Sequence, residues 1–399
     1  MARTLPERLF ARLERFRLGP MREGAFKSTL HDERVATILG LALGVCFSVC
    51  FATGLVSHLV QRGPDWWRES WPTDPVSLYR ITQGVHVLTG FAAIPLLLVK
   101  LWAVYPKLFA WPPFTTITQA VERASVALLI GGATFQLTTG VMNVFYWYPW
   151  GFNFPNAHFA GAWIAIGGLV THIGAKWAIA REALHRPLAP QPEQSGVGAI
   201  TGGLSRRGLL LTAGAGSGIV LVATAGSAVG PLSRLAILAP RRAGVGPQGL
   251  PVNHAATAAI IEAGRDPAYR ILVTGHVAHP LALSLADLRA FPQRRETLPI
   301  TCVEGWSTSA DWEGIALRDI LDRAGAAHAA RIEVVSFQKR SGSSSSLLFP
   351  NHARDPRTLI ALRLNGEELH PDHGYPARLI APDRPGTEQT KWVHELRVI

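Results

Sequence analysis

Cys302 lies in Thr301-Cys302-Val303-Glu304-Gly305-Trp306-Ser307 and is the only cysteine after Cys50. An unpaired cysteine is either a small packing residue or a thiolate that reacts or binds a metal. A second set of residues with chemical potential is histidine: His31, His58, His86, His158 and His172 stand in or beside long apolar runs. His158 and His172 are 14 positions apart. On a helix, 14 steps of about 100° return the side chain to within about 40° of the same face, roughly 21 Å further along the axis. Neutral imidazole is a good axial ligand for heme iron, so this spacing suits two stacked b hemes, each needing a second histidine from another helix.

Five apolar runs must position these histidines: residues 35–57, 85–104, 121–145, 157–180 and 209–229. Each is long enough to cross a bilayer, which takes about 20 residues. Ionisable residues within such spans are functional candidates by default. Lysines and arginines set the orientation. Eight of them, from Arg3 to Arg34, precede the first run, Lys100 and Lys107 close the second, and Lys176, Arg181, Arg186, Arg206 and Arg207 fall between the fourth and fifth. The loops at 61–80 and 146–156 are instead aromatic, with Trp66, Trp67, Trp71, Tyr146, Trp147, Tyr148 and Trp150, which reads as an outer interfacial belt. The N-terminus is therefore expected in the cytoplasm of a bacterial cell, and five crossings put residues 231–399 outside the cytoplasmic membrane.

By depth, His86 pairs with His158 for an outer heme and His31 with His172 for an inner one, with His58 the rival to His86. Lys100, 14 residues after His86, stands where a bundle with paired histidines on two helices would repeat one. The arrangement resembles the membrane cytochrome b subunits that serve formate dehydrogenases and hydrogenases. Ser205-Arg206-Arg207-Gly208 resembles a twin-arginine export signal, although an ordinary positive anchor gives the same topology.

The net charge of +11 accompanies a positive mean hydropathy of +0.17. The basic residues flank the apolar runs, which argues against nucleic-acid binding. Cys46 and Cys50 lie one helical turn apart in the first run and read as packing residues, so no disulfide framework is indicated. Residues 187–203 and 239–251 read as linkers. From 240 onward short apolar runs alternate with turns: strands at 269–275 and 331–337, a short helix at 285–291 and an amphipathic helix at 315–324. That mixture reads as α+β.

Cys302-Val303-Glu304-Gly305-Trp306, Asp311-Trp312-Glu313-Gly314, His373-Gly374-Tyr375-Pro376-Ala377-Arg378 and Pro385-Gly386-Thr387-Glu388-Gln389-Thr390-Lys391-Trp392 follow one another in an order that resembles the sulfite oxidase-like molybdopterin family. The resemblance implies that the Cys302 thiolate binds molybdenum. It implies that Arg378 and Lys391, with His373 nearby, hold the pterin and its phosphate. Glu388 departs from the pattern, standing where some relatives carry a basic residue. The loop at 339–346 departs too, being serine-rich where relatives can place a tyrosine. The stretch after Cys302 is similar to the branch that reduces methionine sulfoxide: it lacks the basic cluster that holds sulfite, and Arg318 is the first cation after Cys302.

The expected architecture is multi-domain. Residues 1–34 form a basic cytoplasmic segment, and 35–186 a four-helix transmembrane cytochrome b-like bundle. Residues 187–230 hold a linker and a fifth, anchoring helix. Residues 231–399 form an α+β sulfite oxidase-like molybdopterin domain. The expected function is a membrane-bound molybdenum oxidoreductase exchanging electrons with quinone through two b hemes and reducing an S-oxide or N-oxide. The alternatives are sulfite-type oxidation with electrons running the other way, and a heme b electron-transfer protein whose outer domain is a non-catalytic docking module.

Overall fold

The computed structural model describes residues 19–22, 25, 26, 28, 30–113, 115–186, 204–338 and 344–399. The first 18 residues of the basic N-terminal segment, the linker at 187–203 and the start of the serine-rich loop at 339–343 lie outside the described residues. The chain divides into two compact units: residues 1–51, 88–143 and 147–221, and residues 52–87, 144–146 and 222–399.

The N-terminal half is helical: α1 Glu33–Arg62, α2 Asp65–Ser70, α3 Leu78–Leu108, α4 Ile117–Val144, α5 Phe154–His185 and α6 Arg206–Ala225. All except the short α2 are long and apolar enough to cross a membrane. In the first unit, Asp32 starts α1 by accepting from the backbone N–H groups of Arg34 and Val35 at 2.8 and 3.3 Å. Asn153 does the same for α5 at Asn156, 3.1 Å away. Such side chains satisfy amides that the first helical turn leaves unpaired. Helices α4 and α5 approach through small residues: a Cβ on Gly132 would lie 3.3 Å from the Cα of Ala165, and one on Gly168 3.3 Å from that of Leu129. Close backbone approach of this kind is how helices associate where lipid removes the hydrophobic drive. Leu41, Leu98, Val170 and Ile219 remain exposed along the long helices. Apolar surface of that extent marks a membrane-associated region. Arg206 pairs with Asp32 at 3.4 Å, so the twin-arginine-like motif is tied to the start of α1.

The second unit carries two five-stranded sheets. The first runs β2 (Leu281–Ser284), β1 (Arg270–Gly275), β10 (Val393–Val398), β5 (Ile332–Ser336), β6 (Ser345–Leu348); β1 and β10 are parallel and the other pairs antiparallel. The second runs β3 (Gln293–Thr301), β4 (Ser307–Ala316), β7 (Leu359–Leu364), β8 (Glu367–Glu368), with β9 (Arg378–Ile380) also on β7. Short helices α7 Ala258–Arg265, α8 Leu285–Ala290, α9 Leu317–Arg323 and α10 Pro350–Ala353 fill between them. Ile271, Val273, Leu321 and Leu396 are among the side chains of one core; Leu298, Cys302, Trp306 and Trp312 belong to the other. This is the α+β domain expected.

Three local expectations are corrected. The helix expected from 315 starts at Leu317, because Ile315 and Ala316 pair with Ile360 and Leu359 and complete β4. The stretch at 239–251 is not a free linker: Leu250 is buried, Arg241 reaches Glu304, and Gln248 donates to the carbonyls of Leu364 and Glu368. Trp71 is not a belt residue, since it is buried with its indole N–H on the Asp383 carbonyl, 3.0 Å away.

Candidate active site

The last pair of the β3–β4 hairpin is Thr301 with Ser307, and residues 302–306 form its loop. The Cys302 amide donates to the Trp306 carbonyl at 2.9 Å, and the Gly305 amide to the Cys302 carbonyl at 3.1 Å. Gly305 closes the loop at φ +93°, a conformation side-chain-bearing residues rarely adopt. The thiol of Cys302 is 3% exposed and receives a hydrogen bond from Asn253 Nδ2 at 3.3 Å. Burial, and then the neighbouring Glu304 carboxylate, push it well above the ordinary thiol range. A thiol so held is not a free nucleophile. A metal cation would displace its proton, so ligation is the chemistry this environment fits.

Glu304 is itself buried, which raises its carboxyl, and it is compensated by Arg241 at 3.2 Å and by Asn253 Nδ2 at 3.3 Å. Arg241 also sits over the Tyr146 ring, 5.3 Å from its centroid.

Cys302 lines a cleft together with His373, Arg378 and Lys391. The structure therefore brings together all four residues expected in the C-terminal domain. Arg378 is 2% exposed, lies 4.9 Å over the Trp312 ring, and donates to the carbonyls of His373 and Gln389 at 3.1 and 3.2 Å. Burial pushes its guanidinium down to about 9. Lys391 donates to the carbonyls of His254 and Asp372 at 2.6 and 2.8 Å, and burial pushes its ammonium down to about 7. Among the described residues neither cation has a carboxylate within ion-pair distance. Two buried cations facing a cleft without counter-anions fit an anionic ligand. Gly374, at φ +109°, lets them converge: a Cβ there would lie 3.0 Å from that of Arg378 and 3.2 Å from that of Lys391. His373 is kept neutral, its pKa pushed down to about 4 by burial, and donates from Nε2 to the Pro247 carbonyl at 2.8 Å.

Glu388 does not line the cleft. Its carboxylate is taken up by Arg384 at 2.5 Å and Arg68 at 3.5 Å, so this departure leaves the cleft's charge untouched. Asn253, His254, Gln338 and Arg241 were missed by reading the sequence. They lie in turns or at a strand end, and no spacing links them to Cys302.

The histidines of the helices are distributed between the units. In the second, His86 Nδ1 lies 3.3 Å from Thr53 Oγ1, and a Cβ on Gly54 would come within 2.9 Å of its Cε1. In the first, His158 Nδ1 lies 3.1 Å from Thr139 Oγ1, and a Cβ on Gly140 would come within 3.8 Å of its Cε1. A Thr-Gly pair thus stands beside each ring, with no room for a Cβ at Gly54 and ordinary contact distance at Gly140. A hydroxyl on Nδ1 restrains the orientation of each ring. His31 packs against Trp102, ring centroids 4.7 Å apart, with Nδ1 3.2 Å from the Ala103 carbonyl. His172 Nδ1 is buried with no hydrogen-bond partner among the described residues.

Residues 256–399 match the family model of the oxidoreductase molybdopterin binding domain. An uncharacterized oxidoreductase of Bacillus subtilis, YuiH, is 31% identical over 32% of this chain and 64% of its own length. Sulfite oxidase of Arabidopsis thaliana is 27% identical over 33% of this chain and 42% of its own length. The protein-methionine-sulfoxide reductase catalytic subunit of Campylobacter jejuni is 28% identical over 31% of this chain and 46% of its own length. The chain thus spans less than two thirds of each of these relatives. Its C-terminal region is a molybdopterin-binding oxidoreductase domain, and the thiol, the two buried cations and the cleft between them fit that cofactor.

Proposed function

We propose that this protein is a membrane-bound molybdenum oxidoreductase that reduces an S-oxide or N-oxide with electrons drawn from quinol. The observation that carries this reading is the cleft that joins the buried thiol of Cys302 to the uncompensated cations Arg378 and Lys391. Cys302 would ligate molybdenum, Arg378 and Lys391 would hold the anionic part of the pterin, and neutral His373 would border it. When bound, the molybdenum–pterin group supplies oxygen-atom transfer. The overall change consumes two electrons and two protons for each S-oxide, giving a sulfide and water. A quinol releases the same number as it becomes quinone.

The choice of an oxide over sulfite rests on charge. Arg241 beside the Cys302 loop is matched by Glu304, and Arg378 and Lys391 are committed to backbone carbonyls and the pterin side. A mouth without excess positive charge is a poor trap for a small anion. Relatives named as methionine-sulfoxide reductase and sulfite oxidase match at similar identity, so the decision belongs to this site.

His86 and His158, each beside a Thr-Gly pair, would ligate one b heme on the extracytoplasmic side. His31 and His172 would ligate a second on the cytoplasmic side, where the unpartnered nitrogen of His172 favours a ligand role. The N-terminus would then be cytoplasmic and the molybdopterin domain extracytoplasmic. The test is a visible spectrum of the full chain in detergent, from a host that makes the molybdenum cofactor. Reoxidation of dithionite-reduced heme by methionine sulfoxide supports the proposal. Reduction of oxidised heme by sulfite overturns its direction. Molybdenum content unchanged by Cys302→Ser would remove the ligand assignment.

A further inference from the structure

The N-terminal turns of α3 dock on the molybdopterin loop. Tyr79, Arg80, Gln83, Gly84 and Val87 fall on one face at helical spacing, and all meet the C-terminal part of the same compact unit. The Tyr79 amide donates to Asp383 Oδ1 at 2.6 Å, so a residue of the molybdopterin domain caps the helix. Arg80 donates to the Ala228 carbonyl at 2.8 Å and to Ser309 Oγ at 3.1 Å. A Cβ on Gly84 would lie 3.8 Å from that of Ala228. Gln83, 5% exposed, donates to the Val303 carbonyl, one residue from Cys302, at 3.3 Å. Val87 presses on Gly305, where a Cβ would lie 2.9 Å from its Cγ1.

The preceding loop reinforces this face. Arg357 forks onto Asp74 at 2.7 and 2.9 Å, and Arg331 pairs with Asp65 at 2.7 Å. Asn351 donates to the Trp71 carbonyl at 2.8 Å. The turn after α6 holds the loop from its other side, the Ser307 amide donating to Ser227 O at 2.8 Å and Ser227 Oγ to Gly305 O at 3.2 Å. His86 stands on the flank of the docked face, next in sequence to Val87.

We infer that Gln83 and Val87, packed on the Val303 and Gly305 of the cysteine loop, form a fixed junction through which single electrons pass within one molecule between a heme on His86 and the metal at Cys302. The inference rests on the reading of His86 as a heme ligand and holds for either direction of flow. No soluble carrier is needed, because the helix that bears His86 is already seated beside the cysteine. Each heme carries one electron, so two passages balance the two-electron change at the cleft. Gln83 and Val87 act as positioning residues.

The test uses the full chain with heme and molybdenum bound, and as one-electron reductant the 5-deazariboflavin semiquinone, formed when the light-excited flavin takes an electron from EDTA as sacrificial donor. Heme is reduced by a flash, and its absorbance is followed as the electron moves on to oxidised molybdenum. The expected rate is independent of protein concentration. In Q83L/V87A the same phase slows by about tenfold or more, since small displacements of reacting partners are costly; the heme spectrum, its midpoint potential and molybdenum content stay unchanged. A rate that rises with protein concentration, or a wild-type rate in Q83L/V87A, overturns the junction. A chain with no b-type spectrum, or a spectrum unaffected by His86→Ala, overturns the heme reading on which it rests and is distinguishable from both.

Discussion

Replacing Gly305 with alanine tests the contact at the centre of the junction. Two separate costs are expected. The backbone at φ +93° charges a residue with a Cβ about 1–2 kcal/mol for its left-handed conformation. The new methyl would also stand 2.9 and 3.0 Å from the two Cγ atoms of Val87, closer than real contacts allow. Relieving that overlap costs about 1–3 kcal/mol, for a total of about 2–5 kcal/mol. Val87→Ala alone removes two methyl groups from a half-buried site, at about 1–2 kcal/mol. In the double variant the overlap disappears while the backbone cost stays, so the two changes couple by about 1–3 kcal/mol. Gly366→Ala is the control: it has φ +86° with nothing within 4 Å of the added methyl, so it reports the backbone cost by itself. Guanidinium unfolding of the detergent-solubilised chain, followed by tryptophan fluorescence, measures all four variants. Additivity of G305A and V87A to within about 0.5 kcal/mol would refute the packing of α3 on the cysteine loop.

Two further outcomes follow from buried charges. Burial raises the Asp383 carboxyl from 3.8 to about 7, so the folded state holds this proton more tightly than the unfolded chain. Its contribution to stability is full below the unfolded value and is lost as pH rises through about 7. Thermal melts should show the wild type losing stability relative to D383N as pH rises from about 4 to about 7, since D383N keeps an oxygen for the Tyr79 amide without the charge; parallel curves would refute the assignment. Lys391→Met should act with opposite sign on the two forms of the protein. The cofactor-free form gains stability, fully below about pH 7, where a buried ammonium is costly, and by less as pH rises toward the ordinary lysine value of 10.5, while retention of molybdenum and pterin after loading falls. Equal stability of the cofactor-free wild type and variant across pH, with normal cofactor content, would remove Lys391 from the site.

Much of this was legible in the sequence, and for physical reasons. A membrane helix must satisfy its own backbone and so writes itself as a long apolar run; three of the five runs fall wholly within one helix, while those at 121–145 and 209–229 overrun the ends of theirs, at Val144 and Ala225. Cys302, His373, Arg378 and Lys391 were readable through the family resemblance of the local blocks that hold them, and two glycines of those blocks have a geometric role. Gly305 turns the cysteine loop and Gly374 lets two cations converge. The helix expected at 315–324 failed at its start for the usual reason: Ile315 and Ala316 suit a helix face as well as a strand buried on both sides, and the pairing with β7 decides. The seat of α3 was not legible at all. Asp383 caps a helix from the far end of the chain, and Arg357 and Arg331 find their acidic partners near residue 70. No periodicity encodes such contacts.

The question of substrate shows where counting along the chain and reading the site in space reach the same expectation for different reasons. Read linearly, the loop after Cys302 has an acid and no cation before Arg318, which makes it look repulsive to sulfite. In space, Arg241 arrives from the segment read as a linker and stands 3.2 Å from Glu304. The pair is close to neutral, so the loop neither repels nor attracts an anion strongly. The cations that remain, Arg378 and Lys391, are buried and bonded to carbonyls that hold them on the side of the cleft that the pterin would fill. On the proposed reading, selectivity for a neutral oxide would depend on the Arg241–Glu304 pair staying intact. Glu304→Gln would leave Arg241 as an unmatched cation beside Cys302 and should shift preference toward sulfite. A sulfite response that does not rise in that variant would show that charge at this loop is not what selects the substrate.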